Sequence, residues 1–331
     1  MCTSDYKVAI LGAGAIGQLL FKQLTTAGCA PYFITRGESS SQQTLTFTSL
    51  AHQASSQSAQ LIGSGTPSTT DDKLTQVMRN TQLVILCVKA YQVNEAINSI
   101  LTRLPEHCHI LLLHNGMGPH IQVQKQLSTQ GLSVGTTSQG ALKVATWHIQ
   151  QTGSGSSQFG HVSGPKLSSN LKKLLNNAIP QSQWSDPILP LLWQKLAINA
   201  SINPLTAIEG CRNGALAKID YQPTIEKLIS ELVEVAKADG IELDKLALTN
   251  RVYEVIALTA NNFSSMHQDV MNKRPTEVGS INGYIITRAQ VHGLGCKVNE
   301  DLFNQITKIE SQYHTSAPSN LDKPTDLAPI D

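Results

Sequence analysis

The 331-residue chain has a formal net charge of +1 and 15% charged residues, so it lacks the basic field that nucleic acid or an anionic membrane surface selects. Its length suits two domains with a sizeable core, and the partners to expect are small molecules. The six cysteines, Cys2, Cys29, Cys87, Cys108, Cys211 and Cys296, include no CxxC pair and indicate neither a disulfide framework nor a zinc site.

The start, MCTSDYKVAIL, carries no long apolar run before its first strand-like residues, and no later run approaches a bilayer span. A soluble cytoplasmic protein is expected. From Lys7 to about Leu113, KVAIL, PYFIT, LVILCV and HILLL read as buried parallel strands, with crossover helices beginning near Ala15 and Tyr91. This is an α/β, doubly wound, Rossmann-type pattern.

Between the first strand and the first helix lies GAGAIG, Gly12 to Gly17, in the context where GxGxxG marks a dinucleotide site. Gly12 permits the tight turn, Gly14 lets backbone approach a pyrophosphate, and Gly17 lets helix pack on strand. Ala13, Ala15 and Ile16 complete the loop, and the helix start offers free amides to phosphate. After PYFIT comes Arg36, where an NAD site carries an acidic residue; arginine suits the 2′-phosphate of NADP. Glu38, two residues on, is a competing ribose partner.

The stretch from Glu38 to Thr70 is rich in Ser, Gln and Thr and reads as a flexible linker or, preferably, as polar edge strands such as TLTFTSL. Lys89 in LVILCVKAYQ and Asn115 in ILLLHNGMG follow buried strands, which places both at the ligand crevice of an open α/β sheet. A solvated lysine and an Asn-Gly turn are the plain alternatives. The clustered histidines of HCH, His107 to His109, have no third ligand nearby, so no metal is expected. From Leu132 to His161, β-branched runs broken by Gly and Ser predict several short strands.

After PQSQWSDP the character changes to helical spacing, which divides the chain into a dinucleotide-binding domain over 1–186, an all-α domain over 187–313 and a disordered tail over 314–331. In the first helix of that second domain, Lys195, Asn199 and Asn203 recur at four-residue spacing and share one face among strongly apolar neighbours. Such groups need partners or a polar cleft, because unpaired burial costs roughly 1 to 3 kcal/mol each. A lysine that snorkels to water is the alternative for Lys195. Pro204 disfavours α conformation at Asn203 and predicts a helix end there. Farther on, Thr276 and Glu277 have the form of a helix cap with an acidic first turn.

Taken in order, GAGAIG, VKAYQ, HNGMG, LWQKLAINASINPLTAI, NNFSSMHQD and TEVGSING make the chain, from about Lys7 to Tyr313, resemble the ketopantoate reductase (2-dehydropantoate 2-reductase) family. The resemblance implies NADPH-dependent reduction of ketopantoate to pantoate, on the route to pantothenate and coenzyme A. It casts Lys195 as the catalytic lysine and Glu277 as its acidic partner. Asn199, Asn203, Asn262 and Ser265 become substrate contacts, and the glycines, Arg36, Lys89 and Asn115 cofactor residues, with Asn115 also within reach of substrate. The family's acidic residue two places after the glutamate is Gly279 here, which weakens the expected helix start.

Hydride transfer to a ketone leaves charge on its oxygen, and a positioned ammonium stabilises that oxyanion and then protonates it, the role expected of Lys195. Glu277 either orients that ammonium or accepts a hydrogen bond from the substrate hydroxyl. With the cofactor on one domain and Lys195 on the other, the active site is expected in the cleft between them. Another small oxo acid as substrate and a non-catalytic dinucleotide sensor are the competing functions, and the sequence leaves monomer and homodimer open.

Overall fold

The computed structural model describes residues 6–37, 40–65 and 73–313, so the expectations placed on Glu38 and on the tail after Tyr313 lie outside the described residues. The first half comprises β1 (Val8–Leu11), α1 (Ala15–Thr26), β2 (Tyr32–Thr35), β3 (Ser41–Thr48), β4 (Ala54–Gly63), α2 (Lys73–Met78), β5 (Leu83–Leu86), α3 (Val93–Asn98), β6 (His109–Leu113), α4 (Pro119–Gln126), β7 (Gly131–Ala145), β8 (His148–Ser163), α5 (Ser169–Ala178) and β9 (Ser182–Trp184). Helices follow: α6 (Leu189–Glu209), α7 (Gln222–Ala238), α8 (Lys245–Leu258), α9 (Ser265–Met271), α10 (Asn282–Val291) and α11 (Lys297–Ser311).

The four apolar runs become the parallel centre of the sheet in the order β2-β1-β5-β6, with Leu11 opposite Ile34 on one side and Leu86 on the other. Strand side chains alternate between faces. Val8 and Ile10 accordingly join Leu20 and Phe21 of α1 and Leu171 and Leu175 of α5 in one core. Ala9 and Leu11 face a second core that continues without a break into Ile188, Trp193, Leu232 and Ile306 of the helical half. The two halves of the chain therefore share buried apolar surface.

Three expectations change. The polar strand β3 is not an edge: it pairs with β4 and, over Thr46–Thr48, with His148–Gln150 of β8. Its hydroxyl and amide side chains find cross-strand partners, as in Gln42 with Ser58 at 2.6 Å and Thr46 with Ser56 at 3.3 Å. The region expected to hold several short strands is one long hairpin, β7 with β8, whose register shifts near Thr137 and Gly140 absorb the Gly and Ser interruptions.

The third change is in α6, which runs through Pro204 to Glu209 and ends at Gly210 with φ +62°. An internal proline costs about 3 kcal/mol. The residues beyond it are buried (Leu205 at 6% exposure, Ala207 at 5%), and a buried leucine alone is worth roughly 1.5 to 3 kcal/mol. The Thr206 hydroxyl also lies 2.9 Å from the Ile202 carbonyl and 3.0 Å from that of Asn203, so a side chain tightens the turn around the proline. Packing outweighs the local preference for a break.

Candidate active site

The glycine loop is shaped by close approach. A Cβ on Gly12, at φ +111°, would fall 2.7 Å from Val88 Cγ1, and one on Gly17 would lie 2.0 Å from the Gly12 carbonyl oxygen. Gly14 differs, since its Cβ would meet nothing nearer than the Cys87 carbonyl at 3.8 Å. The protein's own packing does not demand glycine there, and the space beside its backbone is open. No side chain caps the α1 amides, which stay available to an anion. Buried Gln18 donates to the carbonyls of Ala13 (2.8 Å) and Thr146 (2.9 Å), pinning the loop to the turn between β7 and β8.

One cleft of about 870 Å³ joins this loop to the helical half, lined by Gly12, Ala13, Gly14, Ala15, Ile16, Arg36, Lys89, Asn115, Ser265 and Glu277. Arg36 is exposed at the end of β2. Lys89 follows β5, and its Nζ lies 2.7 Å from Asp269 Oδ2 and 3.4 Å from Glu277 Oε2. Glu277 is buried and accepts from the Ala90 backbone N–H (3.0 Å) and from Asn115 Nδ2 (3.0 Å). Just beyond, the Met117 N–H donates to the Ser280 carbonyl at 2.8 Å. A Cβ on Gly116, at φ +77°, would sit 2.2 Å from that same oxygen. Two strand-end loops thus clasp the Glu277–Ser280 turn.

Around that turn the backbone departs from the predicted cap. Thr276 Oγ1 accepts from Val278 N at 3.2 Å, Val278–Ser280 form a single 3-10 turn, and α10 starts only at Asn282. Glu277 is therefore not in the first turn of an α-helix. The turn aims its carboxylate at Lys89, Ala90 and Asn115 instead.

The α6 stripe is placed differently. Asn199 and Asn203 are each 7% exposed and Lys195 is half-buried, and none of the three lines the cleft. Lys195 has no ion-pair or hydrogen-bond partner among the described residues, and Asn199 Nδ2 is buried without one. Burial, with the Arg251 charge adding to it, lowers the Lys195 pKa below the ordinary lysine value. Burial pulls Lys89 the same way, but Glu277 and Asp269 outweigh it and raise that pKa. Asn262 is exposed between α8 and α9, its carbonyl accepting from Asn213 N at 3.0 Å, and it does not line the cleft. Ser265 does, at the start of α9, where the neighbouring Ser264 hydroxyl accepts from His267 N at 3.0 Å.

Asp269, Arg274 and His114 line the cleft with no warning in the sequence beyond the polar character of their segments. Asp269, the last residue of NNFSSMHQD, is buried between Lys89 and Arg274, whose Nε lies 3.2 Å from Asp269 Oδ1. Its role depends on a lysine 180 positions away. His114 also lines the cleft, with Nδ1 2.9 Å from the Asn115 carbonyl. Burial lowers its pKa against the opposing pull of that bond and of Glu277. Of the HCH histidines, His109 contacts Ser133 Oγ at 2.9 Å, and burial brings its pKa down to about 4. Among the described residues no group of His, Cys, Asp and Glu has the arrangement of a metal site.

Residues 8–164 match the family pattern described as "Ketopantoate reductase PanE/ApbA", and residues 188–310 match "Ketopantoate reductase PanE/ApbA C terminal". A 2-dehydropantoate 2-reductase from Vibrio cholerae is 33% identical over 92% of this chain and 98% of its own length. The chain belongs to the ketopantoate reductase family. Its fold is also that of two solved structures, a D-mandelate dehydrogenase with NADH and anilino(oxo)acetate (TM-score 0.82, 21% identity, 93% of this chain and 99% of that one) and a PanE/ApbA family ketopantoate reductase from Ralstonia eutropha JMP134 (TM-score 0.79, 22% identity, 93% and 99%). At those identities the two structures speak for the fold alone.

Proposed function

We propose that this chain reduces 2-dehydropantoate (ketopantoate) to pantoate with NADPH, as a cytoplasmic enzyme of pantothenate and coenzyme A biosynthesis. The observation that carries this assignment is a single cleft with a glycine loop at one end and the Asn115–Glu277 pair, 3.0 Å apart, at the other. Family membership supplies the substrate. Among the described residues no helix is long and apolar enough to cross a membrane. The working division of the chain is 1–186 for the cofactor and 187–313 for catalysis.

The open space at Gly14, the free α1 amides and Arg36 fit a dinucleotide with a 2′-phosphate. NADPH supplies the hydride that the ketone carbon takes. Lys195 protonates the oxygen of that ketone as charge builds on it, a role supported by an ammonium with a lowered pKa and no carboxylate holding it. Because Lys195 does not line the cleft, the helical half closes on the bound cofactor and substrate to bring it there. Asn199, Asn203, Asn262 and Ser265 offer neutral donors and acceptors to the substrate carboxylate and hydroxyl. Glu277, tied to Lys89, Ala90 and Asn115 rather than to Lys195, accepts from the hydroxyl.

NADPH oxidation by the purified chain tests the assignment, with ketopantoate compared against 2-oxoisovalerate, which lacks the hydroxyl. A kcat/KM for ketopantoate at least ~100-fold the larger is expected of a site whose polar atoms would otherwise stand unpaired. Turnover of neither compound would overturn the assignment.

A further inference from the structure

Asp269, which the sequence did not single out, shares the Lys89 ammonium with Glu277. The Lys89 ammonium lies between two buried carboxylates, each 4% exposed, and the distances are unequal: 2.7 Å to Asp269 and 3.4 Å to Glu277. The first is a full charge-assisted hydrogen bond and the second a stretched one. Asp269 is itself fixed from several sides. Its Oδ1 faces Arg274 Nε and Nη2 at 3.2 and 3.1 Å, and its backbone carbonyl accepts from Arg274 N at 2.8 Å. Two cations balance this buried charge, which would be costly alone.

We propose that Asp269 is a positioning residue that sets substrate preference: by holding Lys89, it keeps a lone pair of the Glu277 carboxylate open for the substrate hydroxyl. The proposal rests on Glu277 being the hydroxyl acceptor. A carboxylate offers about four lone-pair directions. In Glu277, the Ala90 N–H occupies one on Oε1 and Asn115 Nδ2 one on Oε2. Lys89, now 3.4 Å from Oε2, would at full bonding distance fill a further direction on that oxygen, and Glu277, Lys89 and Asn115 all line the cleft. With the charge of Asp269 gone, Glu277 is the carboxylate left acting on the Lys89 ammonium among the described residues. Lys89 would then settle on Glu277.

The test uses the full chain with ketopantoate and 2-oxoisovalerate as paired substrates. In Asp269→Asn the ratio of the two kcat/KM values should fall by about 10-fold, through the KM for ketopantoate, with the NADPH dissociation constant little changed. Loss of structure alone would lower both substrates together. Asp269→Glu, which keeps the charge, should retain the ratio, and it serves as the deciding variant if Asp269→Asn does not fold. In a Lys89→Gln background, Asp269→Asn should lower the ratio no further, because the effect runs through the lysine. An unchanged ratio in Asp269→Asn, a lost ratio in Asp269→Glu, or additive losses in the double variant would each overturn the proposal. A wild-type chain that reduces both substrates equally well would instead overturn the role of Glu277, and this proposal with it.

Discussion

Two lysines, Lys89 in the cleft and Lys195 on α6 outside its lining, stand in opposite electrostatic states. Lys89, at the end of β5, is held by two carboxylates that keep its pKa above the ordinary value despite burial. Lys195, on α6, is desolvated without a carboxylate partner among the described residues, and its pKa falls. A cation locked in a network serves position, whereas an ammonium whose proton is loosened by burial serves as an acid. On the function proposed above, that contrast gives transfer of the proton to α6 and organisation of the binding groups to the strand-end loops.

The largest effect expected from this contrast is on turnover. Lys195→Ala should lower kcat by at least ~100-fold while fluorescence titration shows NADPH binding retained. In the wild-type chain, kcat should decline as pH rises through a pKa below 10.5, because the acid must carry its proton and burial weakens its hold. A decline only above that value would erase the difference between the two lysines. Next in size, Arg36→Ala should weaken NADPH by roughly 10- to 100-fold, the worth of a charge-assisted phosphate contact, and NADH far less. Equal losses of the two cofactors would remove the 2′-phosphate from the account. The smallest effect belongs to Ser264, whose hydroxyl caps α9 at His267 N and accepts from the Thr206 hydroxyl at 2.7 Å. Ser264→Ala should cost about 1 kcal/mol, visible as a drop in Tm of a few degrees, while the preference for ketopantoate persists.

Legibility in the sequence followed the range of the forces involved. The strands β1, β2, β5 and β6 and the GAGAIG loop could be read directly, since period-two burial and steric need for glycine act within a few residues. The pairing of β3 with β8 could not, because its register links segments about a hundred positions apart, and the β7–β8 hairpin was masked by the Gly and Ser interruptions that its register shifts absorb. The end of α6 was misplaced for a related reason: Pro204 is a local signal, and the burial of Leu205 and Ala207 that overrides it is tertiary.

By itself, the sequence determined the dinucleotide loop, the helical second half and the shared face of Lys195, Asn199 and Asn203, all of which depend on local geometry. Only the tertiary structure decided that Glu277 meets Lys89, Ala90 and Asn115, and that Asp269 competes with it for the same ammonium. Charge pairing depends on distances of a few ångströms between side chains that lie more than 150 positions apart along the chain, and folding alone sets those distances.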